Sequence, residues 1–289
     1  MTDRSKGAKC RSSSKFCHLY DGQKGIAVRL KRKINLAHHP VASIHLKHDA
    51  CGTGMLAAKT KDQEPHILRR SLIALSRMSH RGGDVGDSCS DGSGVMIEIP
   101  WSIILDGCEA AKESDTSDFI IGMFFLAASE DERKLQLQLL MDTADRLNLE
   151  TVHTRLVPVD QSVLPEQSRT NCPCQVQIVY RPSAVSEPSI STPHVASQHS
   201  TTTQTQRLAH MRLGFLAAIQ NARHESLYSR QGICLVSLSD RTVVYKALVN
   251  GSRLAAFYQD LADHRVRTRF ALFHQRFATN THPDWELAQ

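Results

Sequence analysis

The sequence predicts an α+β fold in which antiparallel sheets are covered by helices. Runs of strand character and runs of helical period fall in separate groups, not in the strict strand–helix–strand alternation that a parallel sheet requires. Hydrophobic residues make up 41% of 289, which supports a sizeable core. No apolar run approaches the roughly eighteen residues needed to cross a bilayer.

Residues 1–50 are polar, basic and poorly periodic, and are expected to be a leader or propeptide. The ordered body is expected to begin at Cys51, where CGTGMLAAK reads as a strand. A helix follows, opened by Pro65, carried by Leu68, Leu72 and Leu75, and stopped near Gly82. GVMIEI at 94–99 alternates as a strand should, and FIIGMFFLA at 119–127 is apolar enough for a buried one. Ser129 and Glu132 form a capping-box pattern ahead of a helix whose leucines 135, 139 and 147 mark a face. TVHTRLV reads as a further strand. Residues 181–206, rich in Ser, Thr, Pro, Gln and His, read as a flexible insertion. Beyond it RLAHMRLGFLAAIQNA is a helix, and ICLVSLS and TVVYKALV, joined at Asp240-Arg241, suggest a hairpin. SRLAAFYQDLAD reads as a helix and FALFHQRF as a strand.

Composition excludes several function classes. The net charge of +6 is dispersed, its local concentrations being RLKRK at 29–33 and RVRTR at 265–269, and no aromatic platform or recognition motif accompanies them. Nucleic acid is therefore not an expected partner, nor is a membrane. The N-terminus lacks the apolar core of a secretory signal, which predicts a cytoplasmic, reducing location without disulfides. The eight cysteines contain no CxxC pair, and Cys172-Pro-Cys174 is too tight and isolated for a zinc site. His194, His199 and His210 read as exposed residues of the insertion and its margin; no metal is expected.

Three clusters exceed what a plain core needs: HDACGTG at 48–54, MSHRGGDVGDSCSDGSGV at 78–95 and FHQRFATNTHPDWELAQ at 273–289. Singly, each has a structural reading: a small buried thiol, turn glycines, a paired strand arginine. Their order and spacing together carry more. The sequence resembles the N-terminal glutamine amidotransferase domain of the large chain of glutamate synthase, a class II amidotransferase. Where that family has DACGVGF, MxHRGA and DGAG or DGCG, this chain has DACGTGM, MSHRGG and DGSG. The family's CSLSxxxxxYKG and FHQRFSTNTxPxWxLAQ appear as LVSLSDRTVVYKAL and FHQRFATNTHPDWELAQ, with FYQDL at 257–261 between them. The match covers His48 to Gln289 apart from the insertion. It implies an N-terminal-nucleophile hydrolase fold, a four-layer α/β/β/α arrangement.

A thiol attacks an unactivated carboxamide only as thiolate, so it needs a base within hydrogen-bond reach. A free α-amino group, with an ordinary pKa near 8, can serve; the same nitrogen inside a peptide bond cannot. Removal of residues 1–50 would create nucleophile and base together at Cys51. The resemblance implies attack on the side-chain amide of glutamine, loss of ammonia and hydrolysis of a γ-glutamyl thioester. It also implies that Arg276 grips the α-carboxylate, with Thr279 assisting; His80 and Arg81, though candidates for catalytic groups, read chiefly as architecture around the site. In an intact synthase the ammonia reaches 2-oxoglutarate at another domain. FMN and an iron–sulfur cluster are implied only for those further domains, and no cofactor for this chain.

In the family, LAQ is followed by PFR and then by HNGEINT, whose Asn and Gly form the oxyanion hole, and later by an aspartate for the substrate's amino group. This sequence ends at Gln289, so the expectation is a C-terminally truncated domain with little glutaminase activity alone, since one lost oxyanion donor costs about 10²–10³ in turnover. A separately encoded remainder of the synthase is the partner this implies. The rival reading is an inactive or split-gene fragment acting only as a non-catalytic interaction module.

Overall fold

The computed structural model describes residues 52–81, 90–109, 115–183, 199–224, 232–276 and 284–285, with backbone only at 199–203. Their order is β1 (Gly52–Ala57), α1 (Glu64–Ser76), β2 (Ser93–Glu98), α2 (Trp101–Ile104), β3 (Ile120–Leu126), α3 (Glu130–Arg146), β4 (Leu149–Leu156), α4 (Glu166–Thr170), β5 (Cys174–Pro182), α5 (His199–His224), β6 (Cys234–Ser239), β7 (Thr242–Ala247), α6 (Leu254–Phe257) and β8 (Phe270–Gln275). The strands form two four-stranded antiparallel sheets, β1-β8-β2-β7 and β4-β5-β3-β6.

Side-chain alternation divides the second sheet between two cores. Ile121, Met123 and Phe125 of β3 point into a core shared with Val95, Ile97, Tyr245 and Phe273 of the first sheet and with Ile67, Leu68 and Leu75 of α1. Ile120, Phe124 and Leu126, on the other face, pack with Leu140 and Ala144 of α3 and with Met211, Phe215 and Ile219 of α5. This explains why every residue of β3 is buried, as its unbroken apolar run predicts. Among the described residues, no helix is long and apolar enough to cross a membrane.

Several expectations need correction. The two strands flanking Asp240-Arg241 are not a hairpin pair: β6 is hydrogen-bonded to β3 in one sheet and β7 to β2 in the other. The tight turn carries the chain from sheet to sheet, and Ser239 Oγ, accepting from the backbone N–H of Arg241 and Thr242, fixes that change of direction. In α3 and at its C-cap, Leu139 and Leu147 pack against the second core as expected, but the fully buried positions are Gln136, Leu140, Thr143 and Ala144, and Leu135 is 61% exposed. The face is set by Gln136, whose buried Oε1 accepts from the N–H of Ala127 at 2.7 Å and closes the strand-to-helix junction. Ser129 occupies the N-cap of α3, but its side chain makes no capping hydrogen bond.

Regular structure also claims both ends of the span expected to be a flexible insertion. β5 runs to Pro182, pairing Arg181 with Glu150 by an ion pair of 2.8 Å, and α5 begins at His199. The buried Met211, Phe215 and Ile219 anchor α5, and polar turns extend an anchored helix at little cost. His199 and His210 therefore stand on a helix; His194 lies outside the described residues. SRLAAFYQDLAD forms only the short α6 and a 3-10 turn at Gln259–Ala262.

The motifs around Tyr245 and FYQDL lock to each other. Tyr258 Oη donates to the carbonyl of Lys246 at 2.6 Å, and Tyr245 Oη donates to Asp260 Oδ2 at 2.9 Å. Asp260 also holds Arg155 of β4 at 2.8 Å, and Arg155 and Tyr245 both meet Gln177 of β5. The result is a closed buried polar ring that ties one sheet to the other.

Candidate active site

The antiparallel order brings one end of four strands together. Gly52 at the start of β1 stands opposite Gln275 at the end of β8; Gln275 stands opposite Ser93 at the start of β2; Ser93 stands opposite Ala247 at the end of β7. Residues flanking these four positions meet at this end of the sheet. They include Asp91 and Gly92 before β2, Asn250 and Gly251 after β7, and Arg276 after β8.

The floor of this end is tightly built. Gln275 is fully buried and its Oε1 accepts from the N–H of Gly251 at 2.8 Å. Ser93 Oγ donates to the carbonyl of Val249 at 2.9 Å, and Ser79 Oγ donates to Asn250 Oδ1 at 2.8 Å. A Cβ on Gly251 would come within 2.5 Å of Leu75 Cγ, and one on Gly52 within 2.9 Å of Met78 Cε. The segment Ser79–Arg81 thus lies under the start of β1, with Arg81 Cβ also against Gly52. His80 and Arg81 contact each other, Arg81 Nε donating to His80 Nε2 at 3.3 Å.

Arg276 is the most constrained residue at this end. Its φ is 70°, left-handed backbone that costs a non-glycine residue roughly 1–2 kcal/mol. The conformation is held because its N–H donates to the carbonyl of Gly92 at 2.7 Å, with Gly92 itself at φ 84°. The guanidinium Nε lies 3.0 Å from Asp91 Oδ2, an ion pair without the alignment of a hydrogen bond. Asp91 is a residue that the sequence reading passed over, although the DGSG match contained it.

Next to this rung runs the row Thr53, His274, Gly94 and Lys246. Burial pushes the His274 imidazole below the usual histidine range, and its buried Nε2 has no hydrogen-bond partner among the described residues. Burial likewise lowers the Lys246 ammonium. The side chain of Lys246 crosses Gly94, where a Cβ would stand 2.9 Å from Lys246 Cγ.

Cys51 and Thr279 lie outside the described residues. The covalent neighbour of Cys51, Gly52, is nonetheless paired with Gln275, the covalent neighbour of Arg276. The described cysteines are poor nucleophiles by environment. Cys108, Cys172 and Cys234 are buried, and burial pushes the Cys172 thiol to about 11 and raises that of Cys174. Among the described residues, no cluster of three or more His, Cys, Asp or Glu is arranged to hold a metal.

Comparison with known proteins adds lineage to this geometry. The family described as glutamine amidotransferases class-II matches residues 51–289. The chain is 31% identical over 257 residues to the ferredoxin-dependent glutamate synthase of Antithamnion sp., covering 86% of this chain and 15% of that protein. It is 32% identical over 253 residues to the ferredoxin-dependent glutamate synthase of Pyropia yezoensis, with coverage of 86% and 15%. To the glutamate synthase [NADPH] large chain of Bacillus subtilis it is 29% identical over 246 residues, with coverage of 84% and 15%. The chain thus spans about one seventh of the length of these relatives.

Proposed function

The chain belongs to the class II glutamine amidotransferases, and from that premise we propose that it hydrolyses glutamine to glutamate and ammonia through a thioester on Cys51, in the cytoplasm and in the service of glutamate biosynthesis. The observation that carries the reading is that the family match begins at Cys51, while the strand starting at Gly52 is paired beside Arg276. The four-layer α/β/β/α arrangement belongs to the same proposal. It is supported by two antiparallel sheets sharing one core, with α3 and α5 on the far face of one of them.

In this mechanism residues 1–50 are removed and the free α-amine of Cys51 takes the thiol proton. The thiolate adds to the side-chain carbonyl carbon of glutamine. The C–N bond then breaks, and nitrogen leaves as ammonia with the proton returned by the α-amine. Water, deprotonated by the same amine, attacks the thioester carbon; glutamate departs and the thiol is restored. Arg276 holds the α-carboxylate with its planar fork, and Thr279 assists. The remaining domains of a glutamate synthase are the partner proposed, because the relatives carry the matching segment within much longer chains.

Intact-mass measurement on protein from its native host, followed by an assay of glutamate release, tests the reading. A species beginning at Cys51 is expected, with turnover when the HNGEINT-containing segment of a homologous synthase is supplied. A species that retains residues 1–50 and gives no turnover with that segment supports the second reading, a non-catalytic interaction module. Arg276→Lys is expected to weaken glutamine binding by about 1.5–3 kcal/mol, the range for hydrogen bonds to a charged group. Titration calorimetry measures it, and an unchanged affinity would remove Arg276 from the site.

A further inference from the structure

We propose that Asp91 is the positioning residue of the Arg276 clamp: it holds the guanidinium at its Nε edge and leaves Nη1 and Nη2 for the carboxylate of the substrate. The inference rests on the reading that Arg276 receives the α-carboxylate of glutamine.

The Asp91-Gly92 pair grips Arg276 twice. Gly92 accepts the Arg276 N–H at 2.7 Å, and Asp91 Oδ2 lies 3.0 Å from Nε. The backbone has to turn for both to happen. Gly92 at φ 84° and Arg276 at φ 70° flank that hydrogen bond, so the strain at Arg276 sits where the side chain is aimed. The Arg276 side chain is 10% exposed and that of Asp91 18%, so the pair is screened from bulk water and its geometry is held. Among the described residues, no hydrogen bond engages Nη1 or Nη2. A guanidinium has five donors in a fixed fork, and an anion on Nε leaves the Nη donors for a second anion. Asp91 thus supplies the countercharge that lets a buried cation wait for its ligand. A lysine at 276 would have a single ammonium for both anions and could not divide them between separate edges.

The test uses the full chain, with Asp91→Asn, Asp91→Glu, Arg276→Lys and the Asp91→Asn, Arg276→Lys double variant. Two readouts are taken: glutamine affinity by calorimetry, and the ¹⁵N–¹H signal of the Arg276 Nε–H. Asp91→Asn is expected to weaken glutamine about tenfold and to lower the melting temperature, because the largely buried cation is kept without its countercharge and without its orientation. The double variant is expected to bind no more weakly than Arg276→Lys alone, since one residue acts through the other. Asp91→Glu, which keeps the charge, is expected to recover part of the affinity. The Nε–H signal is expected to shift and to exchange with solvent faster in Asp91→Asn. An unmoved Nε–H signal, or losses that add in the double variant, would overturn the assignment. If no form binds glutamine even when it begins at Cys51 and the HNGEINT-containing segment is supplied, the proposed function falls and the Nε–H readout still decides whether Asp91 orients Arg276.

Discussion

Cys51→Ala is expected to reduce glutamine hydrolysis to background, a loss on the order of 10⁴–10⁶, as when a covalent nucleophile is removed from an enzyme that depends on it. A factor of 10⁴ corresponds to about 5.5 kcal/mol of transition-state stabilisation. No described cysteine is placed to substitute: Cys172 and Cys174 have thiols pushed up by burial, and Cys108 and Cys234 are buried. Stability should change little, because the substitution removes one sulfur atom and leaves the pairs from Gly52 with Gln275 to Ala57 with Phe270 untouched. The comparison is made on protein beginning at position 51, with the homologous HNGEINT segment supplied, scoring glutamate release beside thermal unfolding. Retained turnover in Cys51→Ala would end the proposed mechanism, whereas loss of turnover together with loss of folding would assign Cys51 a structural role.

Asp260→Ala is expected to destabilise the protein by about 3–5 kcal/mol, the range for breaking a buried ion pair from one side. Asp260 is 6% exposed, holds Arg155 at 2.8 Å and accepts from Tyr245 Oη at 2.9 Å. Its removal leaves a nearly buried guanidinium and a fully buried phenol without their shared acceptor. Gln177, at 3.2 Å from Arg155 and 3.3 Å from Tyr245, is neutral and already engaged by both. The loss is a large share of the 5–15 kcal/mol by which ordinary domains are stable, and urea denaturation reads it directly. Replacing Arg155 by Met and Asp260 by Leu together should cost distinctly less than Asp260→Ala, because no uncompensated charge remains. Additive losses from the two positions would show that they do not act as a pair.

What was legible in the sequence followed from periodicity and from motif order. β1, β2, β3, β4 and β8 could be located because alternation or an unbroken apolar run marks them, and the DACG and HQRF segments located the two strands that lead into the candidate site. β5 was not recognised, although CQVQIVY alternates. Its two glutamines are polar residues, yet both are buried and one belongs to the ring around Asp260. For α3 the expected face holds at Leu139 and Leu147 and fails at Leu135, because Gln136 is buried by a backbone partner that lies nine positions earlier. The separation of β6 from β7 was invisible because a two-residue connection has the same local chemistry in a hairpin and in a step between sheets. Asp91 was missed because nothing local distinguishes an aspartate in a turn from one that meets an arginine 185 positions later.

The pairing of β1 with β8 also sets a timetable. Gly52 and Gln275 share a rung across more than two hundred positions of chain, and β2 reaches its place beside β8 across nearly as many. Contacts so distant in sequence are slow to form, because the entropy of closing a long loop is lost before any pairing rewards it. At synthesis rates of about 5–20 residues per second, the first strand waits on the order of ten seconds or longer for its partner to leave the ribosome. The second sheet, with β3, β4 and β5 close together in sequence, can assemble in the meantime. The rung that brings Arg276 beside Gly52 is therefore among the last to close, and a nascent chain halted before β8 carries the candidate nucleophile without the clamp.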